Sequence, residues 1–231
     1  MKNLENLSLE EKIEILKKLK EERDAVILAH FYVDEEIQAV ADYIGDSFFL
    51  AQKATELKEE TIVMAGVYFM GESVKILNPS KNVLMPDLEA DCPMAHMVSI
   101  EKIKEMREAY DDLAVVTYIN STAEIKAYSD ICVTSSNAAK IVNKLEEKNI
   151  FFVPDKNLGA YIKKSLPDKN VILNDGYCPV HDEIDLEDVK AYKGKVKILA
   201  HPECRKESWT LLTSLGLQRQ LLMKQESMMM F

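Results

Sequence analysis

Two stretches decide how this chain folds: "VILAHFYVDEEIQAVADYIGDS" at residues 26–47 and "AVVTYINSTAEIKAYSDICVTS" at residues 114–135. Each opens on a short apolar run, ends that run on an aromatic or imidazole side chain, and passes through an acidic segment to a serine. The interval from His30 to Ser47 is 17 residues, as is that from Tyr118 to Ser135. The segments behind them correspond as well, since "TIVMAG" and "KILNPSKNVLMPD" in the first half match "IFFVPD" and "KKSLPDKNVILND" in the second. "KILAHPEC" at residues 197–204 opens a third copy, so that His30, Tyr118 and His201 are spaced by 88 and 83 residues. That period is a whole small domain and too long for a solenoid unit.

Within each copy, strand-like runs alternate with helical patterns. "AVILAH", "TIVMAG" and "NVLMPD" read as strands, while "DEEIQAVADYI", "GDSFFLAQKATEL" and "GESVKIL" read as helices. Such alternation implies α/β units around parallel sheets. Ahead of the first copy, Ser8 and Glu11 form a capping box, and Leu9, Ile13, Leu16 and Leu19 make the apolar stripe of an amphipathic covering helix. The expected domains are residues 1–97, 98–180 and 181–231, the last incomplete.

With 231 residues, 47% of them hydrophobic, the chain can bury a substantial core. A net charge of −10 argues against non-specific nucleic-acid binding, which needs a basic face. The N-terminus has alternating charges and no apolar run of membrane-spanning length, so a cytoplasmic protein without a membrane partner is expected. Four cysteines, Cys92, Cys132, Cys178 and Cys204, lie far apart with no CxxC pair, and reduced thiols are expected. Two of them fall into register with the repeat. Cys92 follows His30 by 62 residues and Cys178 follows Tyr118 by 60, each before a proline in "DCPMAH" and "YCPVHD". A third cysteine at that spacing would fall near residue 262.

The tail, residues 208–231, breaks the pattern. Trp209 has a single codon, and one base added ahead of a permitted coding of "SWTLLTSLGL" yields "VVDLADFVGS", where the repeat calls for a copy of "VADYIGDS". The expectation is a shift of reading frame at about Glu207, with 208–231 out of frame.

Taken together, "LAHFYVDEEIQAVADYIGDS", "GVYFMGESVKILNP", "DLEADCPMA", "YINSTAEIKA", "VTSSNA", "PDKNLGAYI", "GYCPVH" and "HPEC" resemble the quinolinate synthase family, the A protein of de novo NAD biosynthesis, over roughly residues 10–207. The resemblance implies three similar α/β domains about a pseudo-threefold axis with a central active site. It implies a 4Fe-4S cluster held by one cysteine per domain, of which Cys92 and Cys178 match two, leaving one iron as a Lewis acid. It implies condensation of iminoaspartate with dihydroxyacetone phosphate to quinolinate, phosphate and water, with aspartate oxidase or aspartate dehydrogenase acting upstream. Tyr32, His201 and Glu203 are then the acid-base candidates, and His30, Ser47, Tyr118, Asn120, Ser135 and His181 the substrate-binding candidates. Ser47 and Ser135 are read as preceding helices, where they would both cap the helix and meet an anionic group. His181 fits either direct contact or support from behind. Two alternatives stand beside this reading: a catalytically inactive fragment of that enzyme, and a structural zinc protein using Cys92, Cys178, His96 and His181.

Overall fold

A computed structural model describes residues 6–211 and 214–215. The chain divides into two compact units, residues 1–92 and 93–231. In the first, α1 (Leu9–Glu22) leads into β1 (Ala25–His30), α2 (Glu35–Gln38), β2 (Tyr43–Gly45), α3 (Ser47–Glu56), β3 (Thr61–Ala65), α4 (Tyr68–Leu77) and β4 (Asn82–Leu84). Its sheet is parallel, in the order β2-β1-β3-β4. The Ser8–Glu11 capping box at α1 is present as read from the sequence.

The second unit begins with a 3-10 turn (Pro93–His96) and continues through α5 (Ile100–Ala109), β5 (Leu113–Tyr118), α6 (Ala123–Ala127), β6 (Ile131–Val133), α7 (Ala138–Val142), β7 (Asn149–Val153), α8 (Lys156–Ser165) and β8 (Asn170–Leu173). Its sheet has the same parallel order, β6-β5-β7-β8. Then come α9 (Pro179–Asp182), α10 (Leu186–Ala191), β9 (Leu199–Ala200), a 3-10 turn (Lys206–Leu211) and β10 (Ser214–Leu215). β9 and β10 pair in parallel with Leu199 opposite Ser214, the pairing that Leu28 makes with Tyr43 in the first sheet. Of the tail assigned to a shifted frame, residues 208–211 and 214–215 are described, and the rest lies outside the described residues.

The helix expected over residues 34–44 is cut short. Only Glu35–Gln38 is helical, and Tyr43–Gly45 is an edge strand. The cause is Asp42, whose carboxylate accepts from the Ile27 amide at 2.8 Å while its own amide donates to the Ile27 carbonyl at 2.8 Å. The chain is thereby turned alongside β1, and the β-prone Tyr43 and Ile44 extend it. The second unit repeats this device: Asp130 accepts from the Val115 amide at 2.7 Å and donates to the Val115 carbonyl at 3.0 Å. Lys20 and Arg107 neutralise the two aspartates.

Other equivalents also lie 88 residues apart. The ammonium of Lys81 donates to the carbonyls of Ala54 and Leu57 at the end of α3, and that of Lys169 to those of Leu145 and Glu147 just after α7, in each unit tying the end of the helix before the third strand to the turn before the fourth. Gly71 and Gly159 let α4 and α8 approach the chain closely, since a Cβ would fall 2.4 Å from Met85 and 2.7 Å from Leu173 respectively. In the second unit every residue of β5 is buried, as expected for the inner strand of a sheet covered on both faces. Val115, Phe151, Val153, Ile103 and Ile125 form one apolar cluster on one of those faces.

Because the two lysine brackets are equivalent, Lys81→Met and Lys169→Met should each destabilise by about 2 kcal/mol, the scale of losing hydrogen bonds to a charged donor. Equal shifts in urea midpoint at unchanged slope are the expected outcome, and a large effect at only one position would show that the repeats do not share this support.

Candidate functional site

In a parallel sheet the C-terminal strand ends carry the ligand groups. In the second unit four such ends supply one cluster. β5 ends on Tyr118, the turn after β7 brings Asp155 and Asn157, the loop after β8 brings Cys178 and His181, and the turn after β9 brings His201 and Glu203.

Glu203 is the hub, only 3% exposed. Its Oε1 accepts from the Tyr118 hydroxyl at 2.6 Å, and its Oε2 lies 3.2 Å from His181 Nδ1. His201 Nδ1 stands 3.6 Å from Oε1. The Glu203 amide donates to His201 Nδ1 at 3.3 Å, which leaves the neutral ring's proton on Nε2, 3.4 Å from Ser135 Oγ. His181 Nδ1 also lies 3.1 Å from Cys178 Sγ. The imidazoles of His181 and His201 face each other with centroids 5.3 Å apart.

These contacts divide the protonation states. Burial would push the Glu203 carboxyl up, but the hydrogen bond and charge of His181 and the hydrogen bond from Tyr118, joined by His201 when that ring is protonated, hold it below the usual range. Burial would lower His181, yet its bonds to Cys178 and Glu203 raise it to about 10. His201 moves the other way, lowered chiefly by burial and further by His181. Burial and Glu203 push the Tyr118 phenol well above its ordinary value. At neutral pH the cluster therefore holds a carboxylate, one imidazolium, one neutral imidazole and a protonated phenol.

Asp155 and Asn157 are site neighbours that sequence reading did not single out. Asp155 is fully buried, its Oδ1 accepting from the Leu158 amide at 2.5 Å and its Oδ2 from the Cys178 amide at 3.1 Å. Burial first and Glu203 second raise its carboxyl to about 7. Asn157 Nδ2 donates to the Glu203 carbonyl at 3.0 Å. Register within the repeat was the available signal, because position 67 in the first copy is valine and position 155 in the second is aspartate.

The structure thus gathers Tyr118, Ser135, Cys178, His181, His201 and Glu203. Asn120, half-buried two residues past Tyr118, is not hydrogen-bonded to them. The helix-capping reading of the serines needs correction. Asp46 caps α3 by accepting from the Phe49 amide at 2.8 Å, and Ser47 is the first helical residue. Ser135 lies two residues before Asn137, the N-cap of α7, and its hydroxyl faces His201. In the first copy the Asp46 side chain takes the cap; in the second Asn137 holds the cap position without a side-chain cap hydrogen bond, its Oδ1 accepting instead from the Thr134 amide at 2.7 Å.

In the first unit, His30 ends β1 and its Nδ1 accepts from the Tyr32 amide at 3.3 Å, with the two rings packed edge to face. Tyr32 is 73% exposed. Cys92, half-buried, follows a loop tied by the Tyr68 amide to the Ala90 carbonyl at 2.8 Å; the loop before Cys178 is tied likewise, Lys156 amide to Gly176 carbonyl at 2.7 Å.

Cysteine, histidine and carboxylate donors suited to a metal converge, among the described residues, at Cys178, His181 and Glu203, with ligand atoms all within 4.8 Å of one another. His96, named in the zinc alternative, is exposed and outside that group. Cys132 is exposed on β6 and Cys204 is buried, and neither belongs to the group.

His30 provides a test of burial at this position. Burial lowers its pKa from 6.5 to about 4, with Asp46 opposing. The unfolded chain therefore binds the extra proton first, so His30 contributes stability above pH 6.5 that is lost as pH falls towards 4. Its share is about 3 kcal/mol. His30→Gln should flatten the fall in urea-unfolding free energy across this window by a comparable amount, and an unchanged slope would place the loss elsewhere.

Comparison with known proteins agrees with this architecture. The family model "Quinolinate synthetase A protein" matches residues 14–228. The quinolinate synthase of Fusobacterium nucleatum is 64% identical over 204 residues, covering 87% of this chain and 68% of the relative. That of Clostridioides difficile is 51% identical over 195 residues, covering 83% and 64%. Quinolinate synthase 2 of Methanosarcina acetivorans is 51% identical over 197 residues, covering 84% and 63%. The chain thus spans about two thirds of the length of these relatives. With a family model matched over most of its residues and a relative at 64% identity, the chain belongs to the quinolinate synthetase A protein family.

Proposed function

We propose that the protein makes quinolinate for NAD biosynthesis, condensing iminoaspartate with dihydroxyacetone phosphate and releasing phosphate and water. The observation that carries this reading is the enclosure of the Glu203 carboxylate by Tyr118, His181 and His201, all within 3.6 Å. Loss of phosphate and of water both require protons delivered to departing oxygens and withdrawn from carbon or nitrogen. The His181 imidazolium is a proton donor whose partner, Glu203, remains ionised to take a proton back. His201, neutral with a proton on Nε2, and the Ser135 hydroxyl beside it can hold a substrate oxygen by hydrogen bonds. Tyr118 remains a donor and fixes the orientation of the carboxylate. The upstream supplier of iminoaspartate would be an aspartate oxidase or an aspartate dehydrogenase.

A 4Fe-4S cluster belongs to this proposal. Cys92 and Cys178, neither of them in a disulfide and both half-buried, stand at matching places after equivalent anchored loops, which fits two of the thiolate ligands. When bound, the cluster supplies an iron that polarises carboxylate, hydroxyl or imine groups. Tyr32, His30, Ser47 and Asn120 retain their proposed roles in proton transfer and substrate binding. Among the described residues no helix is long and apolar enough to cross a membrane, and a cytoplasmic location is part of the proposal.

The test is formation of quinolinate from the two substrates after anaerobic reconstitution with iron and sulfide. Glu203→Gln keeps an acceptor for Tyr118 but removes the charge opposite His181; kcat should fall by about 100-fold or more while the circular dichroism spectrum is unchanged. Activity within a few-fold of the parent would remove Glu203 from proton transfer. Turnover by the 231-residue chain itself would exclude the inactive-fragment alternative.

A further inference from the structure

The two sheets are copies, yet they differ at the start of the helix that follows the third strand. In the first unit α4 begins after Val67, which makes no side-chain cap, and Phe69 is buried two residues on. In the second unit the equivalent positions are Asp155 and Asn157, both buried. Val67 and Phe69 show that the fold closes here with apolar side chains, and burying a carboxylate and an amide is costly unless both are fully hydrogen-bonded.

The partners of these polar groups indicate what they do. A helix start needs one acceptor, and Asp155 Oδ1 supplies it to the Leu158 amide. The other oxygen, Oδ2, is spent on the Cys178 amide. Asn157 Nδ2 is spent on the Glu203 carbonyl. In the first unit the Cys92 amide has a local acceptor instead, the Asp91 carboxylate at 2.7 Å. Both polar substitutions thus grip the main chain of a working residue and leave its side chain to the cluster.

We propose that Asp155, supported by Asn157, is a positioning residue for the site: it fixes the backbone of Cys178 while Asn157 fixes that of Glu203, so that thiol, imidazole and carboxylate meet at His181. The proposal rests on Cys178 and Glu203 being working groups, but its principal test needs neither substrate nor cluster, so its failure and that of the functional reading can be told apart.

The test is residue-resolved amide hydrogen exchange on the 231-residue chain and its variants Asp155→Asn and Asp155→Val. Asparagine is as good an N-cap as aspartate but has one acceptor oxygen in place of two. In Asp155→Asn the Leu158 amide should stay protected while the Cys178 amide exchanges about 10-fold faster or more. In Asp155→Val, which installs the residue of the first copy, both amides should lose protection while β5 and β7 keep theirs and the melting temperature moves by only a few degrees. In Asn157→Leu the segment around Glu203 should exchange faster while Cys178 is unaffected. The reconstituted Asp155→Val protein should bind at least about threefold less iron than the parent, as expected when a supporting partner behind a metal ligand is removed. Unchanged Cys178 exchange in both Asp155 variants would overturn the proposal, as would iron loading equal to the parent's in Asp155→Val. If the parent binds no iron, the cluster reading fails while the exchange pattern still decides the role of Asp155.

Discussion

The charge on Glu203 is the constraint from which the second unit's chemistry follows. A carboxylate that is 3% exposed cannot stay ionised without compensation, and here the compensation comes from Tyr118, His181 and the nearby His201. Each of these groups is itself changed by the arrangement. The imidazole bonded to Glu203 and Cys178 is held charged, and the one accepting from the Glu203 amide is held neutral. Two histidines with centroids 5.3 Å apart thus carry different protonation states at one pH, an asymmetry that proton transfer requires.

The scaffold reaches this point by repetition. An aspartate that captures an amide of the central strand sets the edge strand in both units, a lysine clasps carbonyls at the end of the helix before the third strand, and a glycine lets the same helix lie close to the end of the fourth strand. None of these devices touches the chemistry. They determine where strands end, and strand ends determine which side chains can meet.

Much of this was legible in the sequence because repetition exposes register. The 88-residue offset placed His30 against Tyr118 and Ser47 against Ser135, and the parallel α/β architecture followed from alternating short strands and helices. The edge strands were missed because Asp42 and Asp130 act through contacts with Ile27 and Val115, 15 residues away in each case, which helical periodicity does not register. Ser47 does not cap α3 because the neighbouring Asp46 competes for that position and its side-chain oxygen accepts from the Phe49 amide. Asp155 and Asn157 went unremarked because a buried polar residue near a helix start looks like an ordinary cap until its second partner is known. The convergence of Tyr118, His181 and Glu203, spread over 85 residues, is a property of tertiary structure that spacing alone could not supply.

A chain that carries nearly the same sheet twice can also pair it wrongly. β7 and β3 are five-residue parallel strands in equivalent registers, so main-chain geometry alone would let one take the other's place during folding. Asp155 makes that exchange unfavourable. Moved into the first sheet it would arrive where Val67 sits and would leave the Cys178 amide behind. At that half-buried position its second oxygen would lack the Cys178 amide, and the misassembled chain would carry the loss of that hydrogen bond as a penalty. The residue that steadies the site therefore also labels the two copies as different, giving the correct assembly an energetic advantage over its closest counterfeit.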